Sequence, residues 1–431
     1  YRDIVAARNK GLFSTFNPPS RMISTFPSIS DIAWHEIFGV LPPRGYQRVY
    51  YSNAYNRMEG GALDPIRPIE YEERVDMAFG GKFHHLSAYV ISTRIAQGEL
   101  DDVVEKFFRI RGRTTVYAYS LGPDALQHTR GDIDEYLRYL DTKVTAILAQ
   151  YQTHTGHKLE IDVISDHGNN KILNAKFVPI EDALNARGFK LVKRLRGPMD
   201  VALSVDGVMN GFGVFCAPDS LDALSELITR IEGVELVTSR ISDDRYRVRT
   251  RTASAIIERS TAGGAESFRY LRENGDPLGY GSTADSLQRA DGAATAGAFA
   301  PARAWVAATS AHKYPAVLSR IVRGHTAVTL NPAPILVSID DTHRVGLGFS
   351  STVNRLRPLG GSHGALGESN SVGMIMSNAH VTHDDISTTV RAQFGGFADL
   401  FDPSREKAGA RLASRAMFAQ DRFSPFAIEA D

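Results

Sequence analysis

The chain has 431 residues, with 49 Lys plus Arg and 49 Asp plus Glu, so its formal net charge is zero. That balance excludes the concentrated basic surface on which a binder of nucleic-acid polymers depends, while leaving room for a local basic pocket. Hydrophobic residues make up 43% and charged residues 23%, a globular composition with chain enough for a large core, and no apolar run reaches the roughly 18 residues of a membrane span.

In chain order, residues 1–10 read as a helix that contains Asp3. Thr25-Phe26-Pro27-Ser28-Ile29-Ser30-Asp31 precedes a helical stretch over 32–38, with Ser30 or Asp31 as its cap. Residues 48–51 are strand-like and lead to Asn53. The β-rich run 114–120 ends in Leu121-Gly122-Pro123, a turn signal. Apolar residues at helical spacing over 131–152 predict an amphipathic helix, and residues 159–165 predict a strand followed by the loop Asp166-His167-Gly168-Asn169-Asn170. Strand, helix, strand predicts a βαβ unit, hence an α/β fold with a mostly parallel central sheet and helices on both faces. Ligands in such sheets bind at the carboxyl ends of the strands, where both loops lie.

Residues 181–300 differ in texture. A helix is expected over 220–231 and hairpin strands over 234–252, followed by Gly263-Gly264 and an Ala/Gly-rich loop over 290–300. This stretch reads as an inserted α+β cap on a core formed by 1–180 and 301–431. Within it lies the single cysteine, Cys216, in the apolar run Gly213-Val214-Phe215-Cys216-Ala217. It reads as a buried structural thiol and rules out an intramolecular disulfide or a cysteine metal cluster. Strands are expected again over 327–331 and 335–340.

Four features carry the chemistry. Asp124 and His128 are four apart, so on a helix they share one face and can bind one cation; the plain alternative is an N-terminal Asp beside an unrelated His. Asp166-His167-Gly168 can turn two ligands into one crevice, or form an ordinary turn. Glycines around Ser362-His363 in Gly360-Gly361-Ser362-His363-Gly364 permit close backbone approach, or a flexible loop. Ser30 at a helix start sits in positive potential suited to phosphate, or is a simple cap.

Together these resemble the alkaline phosphatase superfamily, in particular its nucleotide pyrophosphatase/phosphodiesterase-like branch. The motifs occur in that family's order: Pro27-Ser28-Ile29-Ser30, Asp124…His128, Asp166-His167-Gly168 and Gly361-Ser362-His363-Gly364. The resemblance runs from about residue 20 to 380 and is poorest over 181–300. It implies a metal-dependent phosphoric ester hydrolase acting on mono- or diesters through a phosphoseryl intermediate. Asp124, His128 and His363 would hold one divalent ion, and Asp166 and His167 the other, with Ser30 as the nucleophile. Zinc is the first expectation, with manganese or iron as alternatives. Asn53 would donate to a phosphoryl oxygen, or be a turn residue. Thr25 is the runner-up nucleophile.

One departure concerns the family's first ligand, an Asp ending an early strand. The only Asp ahead of Ser30 is Asp3, within a helical stretch and not followed by Gly, and Asp206-Gly207 lies too late in the chain. The resemblance therefore places that strand and its Asp ahead of Tyr1. Family habit points to an exported, extracytoplasmic protein whose partner is a small phosphate ester. The rival readings are a phosphonate hydrolase and a catalytically impaired relative that binds a ligand or partner. The sequence leaves the oligomeric state open. His84, His85, His380 and His383 read as surface or lead-in histidines.

Overall fold

The computed structural model describes residues 1–61, 71, 75–78, 92–110, 115–288, 298–346, 360–379 and 385–387. The elements that build the site are helices α1 (Arg2–Asn9), α2 (Ser30–Phe38), α3 (Gly122–Arg130), α4 (Asp134–Thr155) and α5 (Val317–Gly324), with strands β1 (Ser20–Ile23), β2 (Asp162–Ser165), β3 (Gly211–Cys216), β4 (Ile335–Ile339), β5 (Val372–Ser377) and β6 (Asp385–Ser387).

The run Ile335-Leu336-Val337-Ser338-Ile339 has no polar alternation, the pattern of a strand covered on both faces. It forms β4, buried at every position, inside a nine-stranded sheet. The order is Ala300–Pro301, Ser267–Asn274, Ser254–Ser260, Arg245–Arg249, Val234–Ser242, β4, β3, Asp200–Ser204 and Lys190–Leu191. Toward the sheet's other end alternation returns. Tyr246 and Val248 are buried between Arg245, Arg247 and Arg249, which pair with acidic groups at the surface. Each fully buried Ile, Leu or Val of β4 contributes about 1.5–3 kcal/mol relative to an exposed side chain. Cys216 lies at the end of β3, and burial pushes its thiol up to about 11, which removes it as a nucleophile at neutral pH.

A four-stranded sheet of order β6, β1, β5, β2 positions the chemistry. β5 runs antiparallel to both β1 and β2, with Ile23 opposite Val372 and Ser165 opposite Met374. The carboxyl ends of β1 and β2 therefore meet the amino end of β5 at one edge. Ser30 follows β1, Asp166 and His167 follow β2, and the segment carrying His363 precedes β5. Helix α5 joins the two sheets. A side chain at Gly324 would lie 2.6 Å from the Phe26 carbonyl and 2.9 Å from Leu336.

Several expectations change. The central sheet is not mostly parallel: in the nine-stranded sheet every pairing but Lys190–Leu191 with Asp200–Ser204 is antiparallel. The expected βαβ unit does not form one sheet. Ala118–Tyr119 pairs with Met77–Ala78, whereas β2 pairs with β5. Strands from residues 181–300 share a sheet with β4, which lies between Val234–Ser242 and β3. Residues 327–331 are not a strand. After α5 the chain turns back, with the Ala327 and Val328 amides donating to the Arg323 carbonyl and Leu330 to that of Pro43. Most of the 290–300 loop, together with His84, His85, His380 and His383, lies outside the described residues.

Candidate metal centre

Helix α3 begins with Pro123 in its first turn and carries Asp124 and His128 one turn apart. Its start is held by the buried Glu99, whose Oε2 accepts from the Gly122 amide at 2.8 Å and from the Ser120 hydroxyl. Its end is closed by Gly131 in the left-handed conformation, φ 72°. There the backbones of Gly131 and Gly360 touch: a side chain on Gly131 would lie 2.9 Å from the Gly360 carbonyl oxygen. The Gly360 amide donates to the His128 carbonyl at 2.7 Å. These glycines let the segment bearing His363 lie directly on the end of α3.

Asp124 Oδ1 lies 3.4 Å from His128 Nε2 and 3.5 Å from His363 Nε2. Ligands at about 2.0–2.1 Å in a tetrahedron are separated by about 3.3–3.4 Å, close to these two distances, and all three donor atoms lie within 4.8 Å of one another. The other nitrogen of each ring is engaged. His128 Nδ1 donates to the Gly361 carbonyl at 3.0 Å, and His363 Nδ1 donates to the Ser28 carbonyl at 2.9 Å. A carbonyl only accepts, so each Nδ1 carries a proton and each Nε2 is the ring atom that faces Asp124. Burial, reinforced by His167, holds His363 well below the usual imidazole range and keeps it a free-base donor.

The second group abuts the first. The rings of His167 and His363 stack with centroids 4.0 Å apart. His167 Nδ1 donates to the Gly168 carbonyl at 2.9 Å, and its Nε2 shares a hydrogen bond with the Ser30 hydroxyl at 3.0 Å. Asp166 Oδ2 is 3.5 Å from the same Nε2 and is buried without a hydrogen bond. Burial pushes the Asp166 carboxyl above the ordinary range, opposed by His167 and the Ser30 hydroxyl. A bound cation would relieve that cost, so this donor set also suits a metal.

Ser30 reaches this position because it does not cap. The helix starts at Ser30 itself, Ile29 takes the cap position, and no side chain caps the end; neither Ser30 nor Asp31 does. Thr25 is fully buried, and its hydroxyl donates to the Pro27 carbonyl at 2.9 Å, within the turn that leads to Ser30. Asn53 sits in the exposed turn between Val49–Ser52 and Arg57–Gly60, its backbone amide donating to Asn331 Oδ1. Asp3 lies in α1 and pairs with Lys171 at 2.6 Å.

Three residues with no motif of their own belong to the site's surroundings. Glu99 and Arg320 are nearly or fully buried charges; apolar neighbours in the sequence mark Arg320, between Val317-Leu318 and Ile321-Val322, and nothing local marks Glu99. Tyr119 lies within electrostatic reach of Asp166 and Asp124; burial first, then Tyr71 and these carboxylates, holds its hydroxyl well above the usual range.

Comparison with known protein families and with curated proteins finds no match for the chain. Among solved structures, the chain is similar in fold to human ectonucleotide pyrophosphatase/phosphodiesterase 5, with 11% identity, 86% of this chain and 83% of that one covered, and a TM-score of 0.44. It is also similar to the murine protein of that name, with 9% identity, 85% and 81% covered, and a TM-score of 0.37. A third is phosphonoacetate hydrolase from Sinorhizobium meliloti 1021 in complex with phosphonoformate, with 12% identity, 96% and 91% covered, and a TM-score of 0.39.

Proposed function

We propose that this chain is a metal-dependent hydrolase of small phosphate esters in which Ser30 accepts the phosphoryl group. The observation that carries this is the convergence of Asp124 Oδ1, His128 Nε2 and His363 Nε2, beside a serine hydroxyl held against His167 and Asp166. Asp124, His128 and His363 would hold one divalent ion, and Asp166 and His167 a second beside Ser30, zinc being the best fit to mixed carboxylate and imidazole donors. When bound, such ions lower the pKa of a neighbouring hydroxyl or water and neutralise phosphoryl oxygens.

The residues of the chain do the rest. The start of α2 holds the Ser30 hydroxyl against His167 at one edge of the small sheet, and a helix N-terminus carries positive potential that suits a phosphoryl group. Ser30 Oγ forms a bond to phosphorus, the bond from phosphorus to the ester oxygen breaks, and the hydroxyl proton leaves with the alcohol. Water then cleaves the phosphoseryl bond and restores the hydroxyl. A phosphonate presents the same phosphoryl oxygens to this site.

A second reading has its own support. Among the described residues, one group of three ligands converges, Asp124, His128 and His363, and Asp166 and His167 are not part of it. That favours a relative that binds a phosphorylated ligand at Asp124, His128 and His363 without turning it over. Hydrolysis of p-nitrophenyl phosphate and bis-p-nitrophenyl phosphate by the zinc-loaded protein separates the two. The hydrolase reading predicts turnover that Ser30→Ala lowers at least about a thousandfold with metal content unchanged. Equal rates in both proteins contradict it.

A further inference from the structure

Arg320 stands in the middle of α5 and is completely buried, among Val317, Leu318, Ile321 and Val322. Its Nη1 donates to the carbonyls of Pro315 at 3.0 Å and Leu366 at 3.2 Å. Its Nη2 donates to the Thr25 carbonyl at 3.0 Å, to Ser28 Oγ at 3.2 Å and to Ser371 Oγ at 2.6 Å. All five acceptors are uncharged. A buried cation held only by dipoles costs more to desolvate than an apolar residue of the same volume, so packing alone is a poor reason for it.

The acceptors themselves supply a reason. They belong to three segments far apart in sequence, and two of these border the site. Ser28 accepts from Arg320 through its hydroxyl oxygen and from His363 Nδ1 through its carbonyl, and Ser30 begins α2 two residues on. Leu366 and Ser371 lie in the segment that joins His363 to β5. One planar guanidinium therefore fixes the turn ahead of Ser30 against the segment that carries His363, and its rigid fork suits several fixed acceptors better than an ammonium does.

We infer that Arg320 is a positioning residue of the metal centre, setting the Ser30 hydroxyl and the His363 ring relative to one another through Ser28. The inference rests on the metal-centre reading. It concerns the alignment of two site residues, beyond the stability of the fold.

The test compares the full-length wild type with Arg320→Lys, Arg320→Met, Ser28→Ala and, as a stability control, Leu224→Ala, which empties a buried position on the helix Leu221–Thr229. Zinc affinity is measured by competition with a chelating dye. The Nδ1–H signature of His363 is read by nitrogen-15 NMR of the metal-free protein, and thermal melting reports the fold. The expected result is a 10–100-fold loss of zinc affinity in both Arg320 variants, the size seen when an outer partner of a ligand is removed. The His363 signal should also shift, and Leu224→Ala should melt early with wild-type zinc affinity. Arg320 variants that bind zinc and show the His363 signal as wild type does would overturn the inference. So would affinity losses no larger than that of Leu224→Ala. If the Arg320 variants do not fold, Ser28→Ala decides: several-fold weaker zinc binding in a folded protein upholds the inference, and unchanged binding overturns it. A wild type that binds no zinc fails the metal-centre reading first, and this inference falls with it.

Discussion

His167 and His363 stack face to face, with ring centroids 4.0 Å apart and planes 23° from parallel. They come from loops 196 positions apart in sequence, and each hands its Nδ1 proton to a backbone carbonyl. The shared wall ties the Asp124 group to the Ser30 group. Replacing His363 by Ala should therefore remove a donor from one group and the support of His167 in the other. Zinc affinity at Asp124 and His128 should fall at least about a hundredfold, more than for loss of an outer partner. The contact of His167 with Ser30 should loosen as well, seen as a changed His167 signal in nitrogen-15 NMR.

Glu99 closes the start of α3 from another helix, Ser92–Phe107. Glu99→Ala leaves the Gly122 amide without its acceptor at a buried helix end. The expected loss is about 1–3 kcal/mol in urea unfolding. Zinc affinity should weaken in parallel, because Asp124 lies two residues on. An unchanged midpoint would show that the contact contributes nothing.

Gly361 is pressed between loops: an added Cβ would lie 2.1 Å from Asn169 Oδ1 and 2.4 Å from the Asn170 carbonyl oxygen. Gly361→Ala must displace the backbone whose carbonyl holds His128 Nδ1. We expect about 1–3 kcal/mol of destabilisation, measured by urea unfolding, together with a drop in zinc affinity. The same change at Gly156, where nothing lies within 4 Å but φ is 71°, should cost only the backbone term, about 1 kcal/mol, and leave zinc binding alone.

His325 is fully buried beneath the large sheet, donating from Nδ1 to the Ala333 carbonyl and facing Thr238 Oγ1 with Nε2. Burial lowers it from 6.5 to about 4. The folded state thus favours the neutral ring. Its contribution is fully present above pH 6.5 and is lost as the pH falls toward 4, at about 1.4 kcal/mol per unit at most. His325→Gln should flatten that part of the stability curve between pH 6.5 and 4, as followed by urea unfolding. A variant as acid-sensitive as the wild type would remove His325 as the cause.

The site was legible where chemistry demands a short spacing. Asp124 with His128 is a helical i, i+4 pair, and Asp166-His167-Gly168 ends a strand, so local rules place each without the fold. Their meeting with His363 rests on β5 entering between β1 and β2, and no local pattern encodes that pairing. A strand, a helix and a strand in succession do not fix the sheet direction, because the two strands need not be neighbours in one sheet. Ala118–Tyr119 instead pairs elsewhere, and a segment from near the end of the chain fills the place beside β2. Residues 327–331 have strand-like composition but lie where α5 must turn back, and the hydrogen bonds to Arg323 and Pro43 outweigh propensity. Arg320 and Glu99 escaped because a buried charge is recognised by its partners, which lie far off in sequence.

The most direct test of the central claim is the zinc content of the purified protein after loading and dialysis, for the wild type and for a variant carrying Asp124→Asn, His128→Ala and His363→Ala. A metal centre at these three residues predicts at least one zinc per wild-type chain and its loss from the variant, with both proteins folded by circular dichroism. A wild type without zinc, or a variant that keeps as much as the wild type, would contradict it.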